Sequence, residues 1–267
     1  MSRNYNFRII NILLLVALVI SLSYASEESI LINYDYHDKN HTISVHVSYS
    51  ITAEKYIRIK RTTTEVSSGK QVEDYIILRP IRTSDAHEMY TLVKNSRQFL
   101  IQYMDTFVDN YGGSEEDARL MISIDNQQKE RMSLGIFYKK NQEYSAIMVG
   151  YIGYHSPQAF SNQENSVDIV YWVGNPVYTK AAGIGTVAAH AFIDWLVANG
   201  RAGRVVITVD KANQASINVA KKLKMRKASR THERWPYGYG EQSPENMEIY
   251  TLSCIEWERA HWNTNKA

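Results

Sequence analysis

The sequence predicts an α/β or α+β protein built on a mixed β-sheet. Strand-like and helix-like segments are interspersed along the chain, and three strand-like segments follow one another between residues 132 and 173. Such an order is typical of a mixed sheet with helices packed on it. Of the 267 residues, 44% are hydrophobic and 22% are charged, a balance that excludes a wholly disordered chain. The length is enough for one large domain or two small ones.

Cysteine content, histidine spacing and net charge bear on whether the protein holds disulfides, metals or nucleic acid. Cys254 is the only cysteine, so neither an internal disulfide nor a thiolate metal cluster can form. His37, His41 and His46 lack the spacing of metal ligands, and we expect no metal site. A net charge of +2 does not by itself predict nucleic-acid binding, and we expect none.

The elements of the main body follow from local patterns. Residues 76–81 predict a short strand, and Ser84 with Asp85 predicts the N-cap and first turn of a helix. Ser114 through Asp117 predicts a second helix start. The other predicted elements are strands at residues 132–138, 146–154, 167–173, 205–209, 226–233 and 247–253, and helices that begin near residues 183 and 213.

The N-terminus has the features of a secretory signal peptide or a membrane anchor. Arg3 and Arg8 precede an uncharged, mostly apolar run at residues 9–22, and Ser23 and Ala25 are small residues before a potential cleavage site. The run is short for a membrane span, which needs about 20 residues. We expect an exported or membrane-anchored protein, or a cytoplasmic one if the start of the chain is misassigned.

These patterns divide the chain into three parts. Residues 1–25 are the signal peptide or anchor, and residues 26–73 form an extension of unknown role. Alternating polarity at residues 42–48 and the Thr- and Arg-rich stretch at 57–64 predict strands in this extension. Residues 74–260 form the main domain.

A glycine-rich turn before a predicted helix is the strongest local indication of a ligand. Gly183 and Gly185 let the backbone approach a ligand closely, and the N–H groups of a helix start suit a pyrophosphate. The run at residues 183–188 also matches the dinucleotide pattern G-x-G-x-x-A, with Asp210 placed to bind a ribose. Nine residues separate Val173 from Gly183, and fewer than 60 follow Asp210, which disfavours a dinucleotide fold.

Four motifs stand in order along the main domain. Residues 77–86 read ILRPIRTSDA, residues 168–173 read DIVYWV, residues 180–186 read KAAGIGT, and residues 213–223 read NQASINVAKKL. Together they resemble the GNAT superfamily of N-acetyltransferases, and within it most closely the ribosomal-protein N-terminal acetyltransferase branch. The resemblance covers about two thirds of the chain, residues 75–258. It implies a mixed, mostly antiparallel twisted sheet flanked by helices.

The resemblance also implies acetyl-CoA as the co-substrate, without a metal. Lys180 replaces the usual Gln or Arg of the pyrophosphate loop, and Ala181 stands where Gly is common. Asn213 matches an Asn that bonds the pantetheine arm, and helix capping is its alternative role. The residues implied in cofactor binding are Val173, Lys180, Gly183, Ile184, Gly185, Thr186 and Asn213.

Acetyl transfer to an amine needs a base for the ammonium and a group that stabilises the leaving thiolate. Glu233 resembles the acidic residue thought to act as base in the ribosomal branch, and a surface ion pair with Arg230 or Arg234 is the alternative. Asp168 is the second candidate base. Ser216 matches the Ser of the N-x-x-S motif and is the candidate donor to the thiolate, unless it bonds the helix backbone.

We therefore expect an N-acetyltransferase that moves an acetyl group to a primary amine, on a protein N-terminus or a small molecule, by direct attack in a ternary complex. The alternative is a degenerate GNAT domain that binds CoA or a protein without catalysis. Acetyl-CoA is cytoplasmic, so predicted export leaves three interpretations: an enzyme that works inside another cell, an enzyme that residues 9–22 hold at a membrane and that faces the cytoplasm, and a misassigned start.

Overall fold

The computed structural model describes residues 36–38, 41–48, 57–65, 71–128, 131–140, 145–155, 166–174, 183–228 and 246–262. Within these residues the strands are β1 Tyr36–Asp38, β2 His41–Ser48, β3 Ile57–Glu65, β4 Gln71–Pro80, β5 Arg131–Lys140, β6 Ile147–His155, β7 Ser166–Val173, β8 Arg204–Asp210, β9 Arg226–Lys227 and β10 Met247–Ser253. The helices are α1 Ala86–Leu100, α2 Asp105–Gly112, α3 Glu115–Gln127, α4 Ile184–Ala198, α5 Gln214–Lys222 and α6 Cys254–Trp262, and a 3-10 turn covers Thr83–Asp85.

The strands form one sheet in the order β1-β2-β3-β4-β5-β6-β7-β8-β10-β9. Among the described strands, β7 and β8 are the one parallel pair, and all other neighbours are antiparallel. This mixed, mostly antiparallel sheet confirms the predicted fold class. It also excludes the doubly wound parallel sheet of a dinucleotide fold.

The parallel pairing is short. Residues 166–168 of β7 lie opposite residues 204–206 of β8, and the register of the described residues ends at Asp168. Residues 169–173 of β7 and 207–210 of β8 therefore face each other without strand pairing. We call this region the β7–β8 gap.

Alternate residues of β7 pack against different layers of helices. Val167, Ile169 and Val173 belong to the core under α4, whereas Trp172 belongs to the core under α1, α2 and α3. This follows from the period of two in a strand. Helix α4 is buried along almost its whole length, which fits its apolar sequence and its place across the middle of the sheet.

Of the helix starts predicted at Ser114 and Ser84, the first is confirmed and the second is wrong. Ser114 is the N-cap of α3, and its Oγ accepts a hydrogen bond from Asp117 N at 3.1 Å, as predicted. The prediction that Ser84 is an N-cap is wrong, because Ser84 lies inside the 3-10 turn. The Asp85 carboxylate organises that turn instead, since it accepts from Arg79 Nη1 at 2.7 Å and from Arg82 N at 2.7 Å.

Helix α2 was not predicted, and α6 follows the last strand where the sequence suggested that the chain ends in strands. Residues 226–233 were predicted as a strand, and the structure describes β9 at Arg226–Lys227. Residues 229–245 lie outside the described part of the chain.

Strand β3 is tied to the main sheet by a buried polar cluster. Arg61 Nε donates to Asp74 Oδ1 at 2.7 Å, the Arg61 guanidinium also bonds Asp74 Oδ2, and Tyr138 Oη donates to the same oxygen at 2.9 Å. Removing one partner of such a buried pair costs about 3–5 kcal/mol. Strands β2 and β3 occur where strands were predicted, and β3 shares the core of the main domain through Ile57 and Ile59. The boundary at residue 74 stays a prediction.

The predicted signal or anchor at residues 1–25 lies outside the described residues. In the ranges that the structure describes, no helix is long and apolar enough to cross a membrane.

Helix α5 ends with Lys224 in the left-handed conformation, at φ 56°. Lys224 N donates to Lys221 O at 3.0 Å and Met225 N donates to Ala220 O at 3.0 Å, the bonding pattern of a Schellman motif. The exposed Lys224 occupies the position where glycine is strongly preferred, because an L side chain is strained there.

We therefore expect Lys224→Gly to raise the free energy of unfolding by about 1 kcal/mol. Urea denaturation of the full chain measures this change. Lys221→Gly is the matched control, because it introduces glycine inside α5 and should lower stability. A lower stability of Lys224→Gly would contradict the assignment.

Candidate active site

The start of α4 is a turn that begins with a glycine. Gly183 is its N-cap, with φ 58° and no side-chain capping bond, and the first turn carries no acidic residue. Among the residues that the structure describes, a Cβ added at Gly183 would meet nothing within 4 Å. The first N–H groups of a helix have no partner within the helix, and they carry the positive end of its dipole. This helix start can therefore hold an anion.

The helix start adjoins the β7–β8 gap. A Cβ at Gly185 would lie 3.7 Å from Val173 Cγ2, so the first turn of α4 packs against the last residue of β7. Ile184 and Thr186 are buried and fix that turn, whereas Gly183 and Gly185 stay partly exposed. Val173 ends the β7 edge that, within the described part of the chain, has no strand partner on the side of β8.

Asp168 lies at the other end of the gap, at the last paired position of β7. It is 2% exposed, and Thr208 bonds its carboxylate through both the side chain and the backbone. Its Oδ1 atom has no hydrogen-bond partner among the described residues. Burial raises the pKa of Asp168 to about 7, against the opposing effect of the Thr208 bonds. A carboxylate with this pKa can exchange a proton near neutral pH.

Ser216 and Tyr171 form a hydroxyl pair across the gap. Ser216 Oγ lies 2.9 Å from Tyr171 Oη, which joins the first turn of α5 to β7. The sequence alternatives for Ser216 were a donor to the thiolate and a bond to the helix backbone, and the described contact of its hydroxyl is with Tyr171. Ser216 remains partly exposed.

Asn213 is the N-cap of α5, and its Oδ1 accepts from Ser216 N at 3.1 Å. The capping role considered from the sequence is therefore present. This capping bond uses the Asn213 Oδ1 atom. A contact between Asn213 Nδ2 and the cofactor stays a prediction.

The Asp168 carboxyl group and the Tyr171–Ser216 hydroxyl pair lie on opposite faces of the sheet. Tyr171 packs against the core under α4, together with Ile169 and Val173. Asp168 is an odd number of residues away from each of these positions in the strand and therefore points to the other face. Thr208 lies on that same face, because Ile207 and Val209 belong to the α4 core.

Two candidate residues and the single cysteine remain. Glu233 and Lys180 lie outside the described residues, so their roles stay predictions. Cys254 is the first residue of α6, not a strand residue, and is buried. Burial raises its pKa to about 11, which disfavours a nucleophilic thiolate. In the described ranges, no group of three His, Cys, Asp or Glu side chains could hold a metal ion.

Tyr171 is not among the site residues that the sequence predicts. Its ring does pack against the core. The contact with Ser216 joins residues 45 positions apart in the chain, and no local sequence pattern reports such a contact.

Comparison with known proteins identifies the family. Residues 76–226 match the family model described as an acetyltransferase (GNAT) domain, which is more than half of the chain. The chain belongs to the GNAT acetyltransferase family and is an acetyltransferase of that family. No curated protein matches the sequence significantly.

Solved acetyltransferase structures share the fold. One described as a probable acetyltransferase has a TM-score of 0.53 and 19% identity, over 68% of this chain and 94% of its own. RimL, a ribosomal L7/L12 alpha-N-protein acetyltransferase in complex with coenzyme A, has a TM-score of 0.52 and 19% identity, over 67% and 93%. The microcin C7 self-immunity acetyltransferase MccE, in complex with acetyl-CoA and AMP, has a TM-score of 0.51 and 22% identity, over 67% and 92%.

The raised pKa of Asp168 predicts a pH-dependent stability cost. An aspartate in the unfolded chain has a pKa of about 3.9, so the folded protein binds this proton more tightly. The stabilisation is complete below about pH 4 and is lost as the pH rises to about 7. A difference of about three pKa units corresponds to at most about 4 kcal/mol.

We therefore expect Asp168→Asn to raise the melting temperature at about pH 8 and to change it little at about pH 4. Calorimetry at both pH values measures the difference. Asp109→Asn, which removes an exposed carboxylate on α2, is the control. A variant that is less stable than the wild type at the higher pH would contradict a costly buried carboxylate.

Proposed function

We propose that the protein transfers the acetyl group of acetyl-CoA to a primary amine, by direct attack of the amine in a ternary complex. The β7–β8 gap is the observation that carries the proposal, because an anion-binding helix start lies at one end of it and a buried acid at the other. The RimL and MccE structures contain CoA and acetyl-CoA, which supports this co-substrate.

The dimensions of the gap fit the co-substrate. The N–H groups at residues 183–186 would hold the pyrophosphate, with Lys180 as an additional phosphate contact. The unpaired backbone edge of β7, ending at Val173, would pair with the amides of the pantetheine arm, and Asn213 would contact that arm through Nδ2. From Val173 to Asp168 the strand extends about 17 Å. The thioester would thus reach the end of the gap where Asp168 lies.

Asp168 has the properties of the base. The attacking ammonium must lose a proton, and Asp168 offers an unpartnered carboxylate oxygen and a pKa near 7. The deprotonated amine nitrogen attacks the thioester carbonyl, the C–S bond breaks with its electron pair remaining on sulfur, and the second proton lost by the nitrogen passes to solvent. The hydroxyl of Ser216 donates a hydrogen bond to that sulfur. Glu233 remains the other candidate base.

The acceptor is proposed to be a protein N-terminus or a small amine. RimL is described as an alpha-N-protein acetyltransferase, which favours the first class. The degenerate, non-catalytic alternative is disfavoured, because the described site combines an acid of suitable pKa with a hydroxyl donor.

We also propose that residues 1–25 direct export or anchor the protein to a membrane, through the apolar run at 9–22. N-terminal sequencing of the mature protein from a membrane-fractionated host tests this. Cleavage before Ser26, or an intact chain in the membrane fraction, is expected. An intact chain in the cytoplasmic fraction would contradict it.

Two glycines provide a matched test of the pyrophosphate site. Gly183 and Gly200 both have φ 58°, and a Cβ at either would meet nothing within 4 Å. Substitution by alanine should therefore cost similar backbone strain at both positions. We expect Gly183→Ala to weaken acetyl-CoA binding about ten-fold or more, and Gly200→Ala to leave it unchanged.

Thermal shift with the full chain measures this binding. Acetyl-CoA at about 100 times its dissociation constant should add about 2.7 kcal/mol of stability to the wild type, whereas NAD should add none. A shift with NAD alone, or equal effects of the two glycine substitutions, would contradict the proposed site.

Kinetics of the two acid variants identify the base. For the wild type we expect kcat/KM to rise with pH through about 7, as Asp168 loses its proton. Asp168→Asn should lower kcat/KM by about 10²–10⁴-fold and abolish this rise. The same result for Glu233→Gln, with Asp168→Asn active, would assign the base to Glu233.

A further inference from the structure

Tyr171 and Ser216 are held together from opposite sides of the gap. Tyr171 lies on β7 with its ring against the α4 core, and Ser216 lies in the first turn of α5. Asn213 Oδ1 fixes the backbone N–H of Ser216 at 3.1 Å, and Tyr171 Oη contacts its hydroxyl at 2.9 Å. The serine is therefore fixed at both its backbone and its side chain.

Ser216 Oγ is the nearer of two possible acceptors for the Tyr171 hydroxyl. Tyr171 Oη lies 2.9 Å from Ser216 Oγ and 3.5 Å from Ser216 O. The first is a normal O–H···O distance and the second is too long for a good bond. Either hydroxyl can donate across the 2.9 Å contact, and when the phenol donates, Ser216 Oγ is its acceptor. A serine hydroxyl has one proton, and this arrangement leaves that proton available for another acceptor.

The phenol keeps its proton throughout the working pH range. Tyr171 as a residue is only partly buried, but its hydroxyl group lies deep enough that desolvation raises its pKa well above the usual value. Tyr171 thus keeps a proton that it can donate in a hydrogen bond, and it does not act as an acid.

We propose that Tyr171 is a positioning residue that donates to Ser216 Oγ and thereby directs the Ser216 proton toward the sulfur of the co-substrate. This inference rests on the proposed acetyl transfer. When the C–S bond breaks, the electron pair stays on sulfur as a thiolate, and Ser216 stabilises it by a hydrogen bond without transferring its proton. The two protons lost by the attacking nitrogen go to the base and to solvent, so Tyr171 and Ser216 end the reaction unchanged.

Tyr171→Phe keeps the packed ring and removes the donor. We expect kcat to fall about ten-fold, the value of one hydrogen bond, with the KM for acetyl-CoA changed less than about two-fold. The fold-reduction in kcat should be the same at every pH, because a phenol that stays protonated adds no ionisation to the pH–rate profile.

A double-mutant cycle separates positioning from a structural role. If Tyr171 acts through Ser216, then Tyr171→Phe should cause no further loss in a Ser216→Ala background. Tyr250→Phe is the control, because Tyr250 is a buried tyrosine of the same core whose hydroxyl bonds Glu248 at 2.9 Å, away from Ser216. It should leave kcat unchanged.

A binding measurement tests the inference without turnover. Calorimetric titration with CoA and with desulfo-CoA reports the contact to sulfur. The wild type should bind CoA more tightly, and both Tyr171→Phe and Ser216→Ala should reduce this preference several-fold. A wild type that binds CoA with this preference but acetylates no amine would overturn the proposed function and leave the Tyr171 inference supported.

Four results would overturn the inference itself. They are an unchanged kcat in Tyr171→Phe, losses that multiply in the double variant, a loss that varies with pH, and a wild type that binds CoA and desulfo-CoA equally.

Discussion

The short parallel pairing of β7 and β8 is the constraint on which the site depends. Parallel neighbours need a crossover connection, and α4 lies between β7 and β8 in the chain. Pairing stops at Asp168, so the remaining length of both strands keeps backbone groups available on the facing edges. The crossover also places the start of α4 next to the end of β7. One topological feature thus produces both a slot for an extended ligand and an anion site at its end.

Because β7 is pleated, the side chains of the proposed site project from both faces of the sheet. Asp168 and Tyr171 differ by three positions, so one points toward the α1–α3 layer and the other toward α4 and α5. A thioester in the gap would meet the proposed base from one face and the proposed thiolate donor from the other. The buried carboxylate costs stability near neutral pH, which is the expected compromise between stability and activity in an active site.

Local patterns predicted the features that depend on local physics. The strands, the Ser114 cap and the glycine-started helix α4 follow from periodicity and capping chemistry. The misplaced cap at Ser84 arose because Arg79, on the preceding strand, engages the Asp85 carboxylate and tightens the turn. The Tyr171–Ser216 pair and the raised pKa of Asp168 depend on burial and on contacts between distant segments, which a single sequence does not show.

The central claim is that acetyl-CoA lies in the β7–β8 gap with its pyrophosphate on the start of α4. Amide hydrogen exchange of the full chain, with and without CoA, tests it most directly, because ligand bonds to backbone N–H groups slow their exchange. The account predicts added protection at residues 183–186 and on the unpaired edge of residues 169–173, and none at Gly200 beyond the end of α4. Protection confined to other elements, or no protection at saturating CoA, would contradict it.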